Sequence, residues 1–141
     1  MICADSSFFV SVYLIDAHSP KADLRLGDAP MVCVNELNRT ELAHALAQYI
    51  FRGQVTTAQA QLAWSQFEED CAKGRWFEVE FPSGTWAVSV DLARRYGATL
   101  GVRTLDSLHV ACALELGAER FWTFDERQTR LAEAAGLNTA A

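Results

Sequence analysis

The sequence has no apolar run that reaches the roughly 18 residues of a membrane span. Its first ten residues, MICADSSFFV, lack the basic start and the small-residue cleavage site of a signal peptide. Asp5 would also interrupt an apolar segment there. These absences predict a cytosolic protein with no membrane contact.

The sequence also lacks a C-x-x-C pair. Its four cysteines lie about 30–40 residues apart, which is unlike the close spacing of zinc ligands and of small disulfide frameworks. We therefore expect buried, reduced thiols. The cysteines are Cys3, Cys33, Cys71 and Cys112.

The 141 residues suffice for one domain of ordinary size, and half of them are hydrophobic. Internal repeats, linkers and low-complexity segments are not visible, so we predict a single domain over residues 1–141. The net charge of −6 disfavours a general nucleic-acid-binding surface when it is taken alone.

Strand-like and helix-like patterns alternate along the chain, which predicts an α/β fold with a parallel sheet covered by helices on both faces. Residues 17–30 read as a loop or a weak helix. Glycines mark most helix ends, including Gly97. The predicted strands are 2–5, 31–34, 76–81 and 119–124, and the predicted helices are 6–16, 35–52, 57–73, 85–96, 104–116 and 126–135.

Four acidic residues fall near the starts of helices or the ends of strands. Asp5 ends the first strand and Asp125 ends the last one. Asp106 lies in the first turn of the apolar helix TLDSLHVACAL, and Glu41 lies near the start of the helix after the second strand. Ligands of an open parallel sheet bind beyond the carboxyl ends of its strands, so these residues are candidates for one site.

Each acid also has a purely structural explanation. Asp5 and Asp125 have the residue type and position of helix N-caps. The other two are explained by helix starts as well: Asp106 by the positive end of a helix dipole with Thr104 as the cap, and Glu41 by a capping-box spacing from Asn38.

The set of four is harder to explain by structure alone. Two carboxylates about 4 Å apart repel by roughly 4 kcal/mol at an effective dielectric constant of 20, so a cluster of four needs a cation. Oxygen ligands alone suit Mg²⁺ or Mn²⁺ and not zinc. Such ions activate water and neutralise a phosphodiester in its transition state.

The ordered set of motifs resembles the PIN-domain nucleases. Asp5 lies in A-D-S-S, Glu41 in R-T-E-L-A-H-A-L, Asp106 in L-D-S-L-H-V-A-C-A-L and Asp125 in T-F-D. Chain length and the order of strands and helices agree from end to end. The short form, with F-x-T-F-D-x-R-Q after the third acid, is most similar to VapC-type toxins of bacterial toxin–antitoxin pairs.

The resemblance implies a three-layer α/β/α sandwich and a Mg²⁺- or Mn²⁺-dependent endoribonuclease that cleaves a phosphodiester with metal-activated water. It identifies Asp5, Glu41, Asp106 and Asp125 as the acidic quartet that binds metal. Ser7 and Thr123 match hydroxyl residues that support the quartet. The resemblance also implies an RNA substrate, a homodimer and a small VapB-like antitoxin that blocks the active site.

Other polar residues are assigned to structure. We interpret His109 as a packed histidine with one or two hydrogen bonds and His44 as partly exposed. Glu36 is a rival to Glu41, which is preferred because it borders the apolar stripe of its helix.

Without the four candidate ligands the net charge of −6 becomes −2. Arg39 and Arg103, which lie near Glu41 and Asp106 in sequence, read as solvated surface charges.

Two other classes of function compete with the nuclease. The first is a non-catalytic PIN-like module kept for partner binding, which agrees with the acidic charge. The second is a phosphatase or phospho-receiver, since both place an aspartate at the end of the first strand. The sequence disfavours it, because Asp5 is followed by serines and the only lysines are Lys21 and Lys73.

Overall fold

The computed structural model describes residues 1–28 and 30–140, so Ala29, within the 17–30 segment, and Ala141 lie outside the described residues. Strands and helices alternate irregularly, and most helices cover a sheet of short strands. The elements are β1 Ile2–Ala4, α1 Ser6–Tyr13, α2 Ser19–Leu26, β2 Cys33–Val34, α3 Glu36–Phe51, α4 Thr57–Ala72, β3 Phe77–Glu78, α5 Thr85–Leu100, α6 Thr104–Glu115, β4 Arg120–Trp122 and α7 Glu126–Ala134.

The four strands run parallel, as predicted. β1 pairs with β4, and β2 pairs with β3. A parallel bridge between Ile2 and Val32 joins the two pairs, which gives the spatial order β3-β2-β1-β4. The first and last strands of the chain are therefore neighbours, and the residues that follow them emerge side by side.

Alternating residues of the central strands enter two separate hydrophobic cores. Ile2 and Ala4 pack with helices α1–α4 on one face of the sheet, whereas Cys3 packs with α5–α7 on the other. This period-two alternation places helices on both faces. The predicted α/β fold with a parallel sheet between helical layers is confirmed.

Several predicted boundaries are wrong. Helix α1 ends at Tyr13 and not at residue 16, because the backbone of Leu14 is extended, and strand β2 begins at Cys33 and not at residue 31. Helix α5 continues through Gly97 to Leu100, and its left-handed C-cap is Gly101, with φ 65°. A single helical glycine is tolerated, and the left-handed position that ends a helix lies four residues later. Strand β3 spans two residues instead of the predicted 76–81, because its only partner, β2, is equally short.

The segment 17–30 contains a real but poorly buried helix. Ala22 is the one fully buried residue of α2, and Leu24 is 80 % exposed. Among residues 1–28 and 30–140 no helix has the length and hydropathy needed to cross a membrane. All four cysteines are free, and three of them are buried.

Candidate active site

Asp5 follows β1 directly and caps the N-terminus of α1. Its side chain is buried, yet it accepts three hydrogen bonds. Oδ1 accepts from the Ser7 hydroxyl at 2.6 Å and from the Phe8 backbone N–H at 3.2 Å, and Oδ2 accepts from the Thr123 hydroxyl at 2.7 Å. Burial raises the pKa of the Asp5 carboxyl above its ordinary value, although these bonds and the nearby His109 favour the charged form.

Thr123 and Ser7 join Asp5 to the loop after β4. The Thr123 hydroxyl accepts a hydrogen bond from the backbone N–H of Asp125 at 2.9 Å, and the Ser7 hydroxyl accepts one from the backbone N–H of Phe124 at 3.0 Å. Each hydroxyl therefore donates to Asp5 and accepts from the loop. The register that pairs β1 with β4 creates this contact, because it sets Asp5 beside Thr123.

Asp106 lies in the first turn of α6 and is also buried. Its Oδ2 accepts from the Arg103 backbone N–H at 3.3 Å and from the Arg103 Nε at 3.2 Å, and its Oδ1 accepts from the Gln128 amide at 3.2 Å. The residue at the N-cap position is therefore Arg103 and not the predicted Thr104. The Asp106 side chain accepts the hydrogen bond from the Arg103 backbone N–H. The structural role that the sequence offered for Asp106 does not exclude a ligand role, because one acceptor position stays open.

Gln128 links two of the candidate acids. Its amide donates to Asp106, and its backbone N–H donates to Asp125 Oδ1 at 2.9 Å. Its side-chain oxygen is buried and has no hydrogen-bond partner among the described residues. The sequence analysis missed Gln128. The available signal was a polar residue at the first position of the buried stripe of α7, which continues with Leu131 and Ala132.

Arg103 bridges the same two acids from the solvent side. Its guanidinium lies 3.2 Å from Asp106 and 3.8 Å from Asp125, while 64 % of its side chain is exposed. Arg103 is an exposed surface charge, as interpreted, and the structure adds that it pairs with two of the candidate acids. Since an exposed pair contributes little to stability, Arg103 is free to exchange partners at small cost.

Glu41 contacts the buried His109 across the helices α3 and α6. Glu41 is half-buried, whereas its rival Glu36 is exposed in the first turn of α3. The predicted capping box of Asn38 with Glu41 is wrong, since Asn38 instead pairs with Asn35. His109 is packed and hydrogen-bonded, as interpreted, and its partner is one of the candidate acids.

The acids do not form a ready-made metal cage. Within the described chain, no three His, Cys, Asp or Glu side chains are grouped closely enough to hold an ion. The donor set nevertheless suits a hard cation, because Asp5 and Asp106 are buried carboxylates that each accept three hydrogen bonds and keep about one acceptor position open. Of the other two acids, Asp125 lies beside Arg103 and Glu41 contacts His109.

Two concave surfaces meet at Asp125. One, of about 350 Å³, is lined by Ser7, His18, Glu41 and Phe124 as well as by Asp125. The other, of about 490 Å³, is lined by arginines on α7 and before α6, namely Arg103, Arg127 and Arg130. A larger concavity of about 680 Å³ lies at β2 and β3 and contains none of the four candidate acids.

The parallel sheet between helical layers, with a buried aspartate after its first strand and a partly exposed one after its last, defines a class of α/β proteins with an acidic site at the carboxyl edge. Residues 2–134 match the family model of the PIN domain. The chain therefore belongs to the PIN domain family, as the motifs predicted. No curated protein sequence matches it significantly.

The solved structures that it resembles include one described as a toxin and one bound to promoter DNA. FitAcB from Neisseria gonorrhoeae superposes with a TM-score of 0.71 at 16% identity, over 100% of this chain and 97% of the other. VapC20 from Mycobacterium tuberculosis, described as a sarcin-ricin loop cleaving toxin, gives 0.69 at 17% identity, over 99% and 98%. VapBC2 from Rickettsia felis, bound to a promoter DNA fragment, gives 0.64 at 16% identity, over 99% and 98%. These identities establish a shared fold.

Proposed function

We propose that this chain is a Mg²⁺- or Mn²⁺-dependent endoribonuclease and the toxin component of a toxin–antitoxin pair. The observation that carries the proposal is the hydrogen-bonded network in which Thr123 and Gln128 connect the three acids Asp5, Asp106 and Asp125. In a PIN domain, such a network at the carboxyl edge of the sheet supports phosphodiester hydrolysis.

The four acids would hold the metal, with Asp5 and Asp106 as the buried anchors and Glu41 and Asp125 closer to solvent. A bound divalent ion would supply an activated water and neutralise the charge that develops on the phosphodiester. The burial that raises the Asp5 pKa also makes its carboxylate a strong partner for a cation, because the charge is poorly solvated. The hydroxyls of Ser7 and Thr123 fix the orientation of that carboxylate.

Arg103 would change partners when substrate binds. In this structure it neutralises part of the charge of Asp106 and Asp125. Once a cation takes over that role, the exposed guanidinium is free to bind a phosphate oxygen of RNA, for which its planar fork is suited. The neighbouring arginines on α7, Arg127 and Arg130, would extend this contact along the backbone.

The partners follow from the proposed class. The similar structures include complexes of toxins with antitoxins. We propose a VapB-like antitoxin for this chain, a homodimer as its working form and the cytoplasm as its location.

The decisive experiment incubates the purified, antitoxin-free protein with total RNA and Mn²⁺, and maps new RNA ends by sequencing. Glu41→Gln should reduce cleavage at least a hundredfold, since direct ligands matter more than their supports, whose loss costs about 10–100-fold. Glu36→Gln is the matched control, because Glu36 is an exposed acid one turn earlier on the same helix. If the wild type leaves every RNA class intact, the nuclease proposal is wrong.

A non-catalytic partner-binding module is the second candidate. One observation favours it: Arg103 and His109 already contact candidate acids, and the described residues contain no preformed ligand cluster. Isothermal titration with Mn²⁺ and Mg²⁺ separates the two functions. Binding at or below millimolar metal supports the enzyme, whereas undetectable binding at that concentration favours the module.

A further inference from the structure

Two stacked aromatic rings form part of the wall of the cavity that contains Glu41 and Asp125. The imidazole of His18 lies parallel to the ring of Phe124, with a centroid distance of 4.7 Å and an interplanar angle of 5°. His18 is exposed and Phe124 is partly buried. The pair therefore presents a flat ring to solvent directly beside the candidate acids.

The stack is held in place from behind. Phe124 packs against Phe8 at 6.2 Å, and the guanidinium of Arg25 lies 5.0 Å from the Phe124 centroid. The backbone N–H of Phe124 donates to Ser7, which in turn donates to Asp5. Because these contacts fix Phe124 relative to the acids, a ligand that stacks on this wall would pay little to order it.

The other end of the stack is anchored by a short polar loop. The backbone N–H of His18 donates to Asp16 Oδ1 at 2.8 Å, and Asp16 also accepts from the Ser11 hydroxyl at 2.8 Å. The imidazole therefore extends from a backbone that is tied to α1.

The charge of this cavity selects the part of a nucleotide that fits it. Its acidic lining residues are Asp16, Glu41 and Asp125, so a phosphate would be repelled there except beside a bound cation. The adjoining cavity carries three arginines, Arg103, Arg127 and Arg130, against the acids Asp125 and Glu126, and this excess of positive charge attracts phosphate. Asp125 lines both cavities. An RNA strand that crosses Asp125 would therefore place its backbone near the arginines and one base near His18.

We propose that the exposed face of His18, backed by Phe124, is a stacking site for an unpaired nucleobase next to the cleaved phosphodiester. The inference rests on the proposed nuclease function and adds the residues that would hold a base beside the acids. Aromatic and histidine rings are the usual platforms for unstacked bases. Each stack strengthens binding of the nucleic acid whichever base is present.

The test compares a fluorescein-labelled oligo(A) of about eight nucleotides with an abasic ribose-phosphate oligomer of the same length. Binding is measured by fluorescence anisotropy with Asp106→Asn protein in Mn²⁺, so that cleavage does not interfere, and is repeated with the wild type in EDTA. His18→Ala should weaken oligo(A) binding about tenfold and leave abasic binding unchanged. His18→Phe should restore it, because a phenyl ring also stacks.

Two control variants distinguish a loss of base stacking from a general loss of RNA binding. His44→Ala removes an exposed histidine from α3 and should change neither affinity. Arg127→Gln should weaken both oligomers equally, because it removes a contact that every phosphate can use.

The stacking site is wrong if His18→Ala binds oligo(A) as tightly as the parent protein. It is also wrong if this variant loses affinity for oligo(A) and for the abasic oligomer equally. If either of these occurs while the wild type still cleaves RNA, the stacking site alone is wrong. If the wild type with Mn²⁺ neither binds nor cleaves RNA, the proposed function fails with it.

Discussion

The hydroxyl of Thr123 donates a hydrogen bond to Oδ2 of Asp5 across 2.7 Å, although 118 positions separate the two residues in the chain. The pairing of the first strand with the last brings them together. The same hydroxyl accepts from the Asp125 backbone, so its O–H is directed at Asp5 by the loop that carries the fourth acid. The charge on Asp5 is thus stabilised by a group that only the finished sheet provides.

Thr123→Val should therefore lower the free energy of unfolding by about 1–3 kcal/mol, since it removes one buried donor and leaves the Asp125 N–H without its acceptor. Urea unfolding in EDTA measures the change. Thr123→Ser keeps the hydroxyl and is the matched control, with a smaller expected loss. Equal unfolding midpoints for the Val and Ser variants would contradict the role assigned to this hydroxyl.

Asp5→Asn should stabilise the metal-free protein while it abolishes cleavage. Asparagine is an equally good N-cap, but it carries no charge to bury. Because the folded-state pKa of Asp5 is raised by burial, this residue's contribution to stability is largest in acid and declines as the pH rises through that pKa. The advantage of the variant over the wild type should therefore grow between pH 4 and pH 7, to on the order of 1 kcal/mol.

Thermal melts in EDTA across that pH range measure the difference. A stability difference that is constant with pH, or that favours the wild type at pH 7, would show that the hydrogen bonds to Asp5 outweigh its burial. Added Mn²⁺ should raise the melting temperature of the wild type and not that of Asp5→Asn, because ligand binding stabilises only the form that binds.

Local patterns in the sequence predicted most of the fold. Strand and helix order follows from hydrophobic periodicity, and helix α4 begins at residue 57, as predicted, after a capping box formed by Thr56 and Gln59. The failures have local causes too. Gly97 has the residue type of a helix end, but the left-handed conformation occurs at Gly101, and nothing in the two glycines themselves distinguishes them.

The candidate site was less predictable, because its contacts join distant elements. The positions of Asp5 and Asp106 follow from strand ends and helix starts. Which side chains they contact depends on packing across the sheet, so neither the role of Gln128 nor the pairing of Arg103 with Asp125 was predicted. The pairing of Glu41 with His109 likewise depends on how α3 and α6 approach each other.

Arg103→Met should strengthen Mn²⁺ binding and weaken RNA binding. Arg103 pairs with Asp106 and Asp125 in the absence of metal, so it competes with a cation for the same oxygens. Arg103 is largely exposed although Asp106 is buried, and an ion pair screened by solvent in this way is worth about 1 kcal/mol, which corresponds to a gain in metal affinity of about fivefold. Isothermal titration measures it. Arg95→Met, which removes another exposed arginine from α5, should change neither affinity.

Gln128→Leu should reduce kcat about 10–100-fold with little change in KM, because leucine removes the amide that positions Asp106. It should also lower the free energy of unfolding by about 1–3 kcal/mol, since the buried Asp106 carboxylate loses a donor, and removal of the Gln128 oxygen that has no partner among the described residues offsets part of that cost. The backbone N–H that binds Asp125 remains, so substrate contacts are kept. Gln128→Glu places a second carboxylate beside Asp106. This variant should be less stable than the wild type in EDTA and should regain stability when Mn²⁺ is added. Unchanged kcat in Gln128→Leu, or a rise in KM alone, would show that Gln128 does not position Asp106 for the reaction.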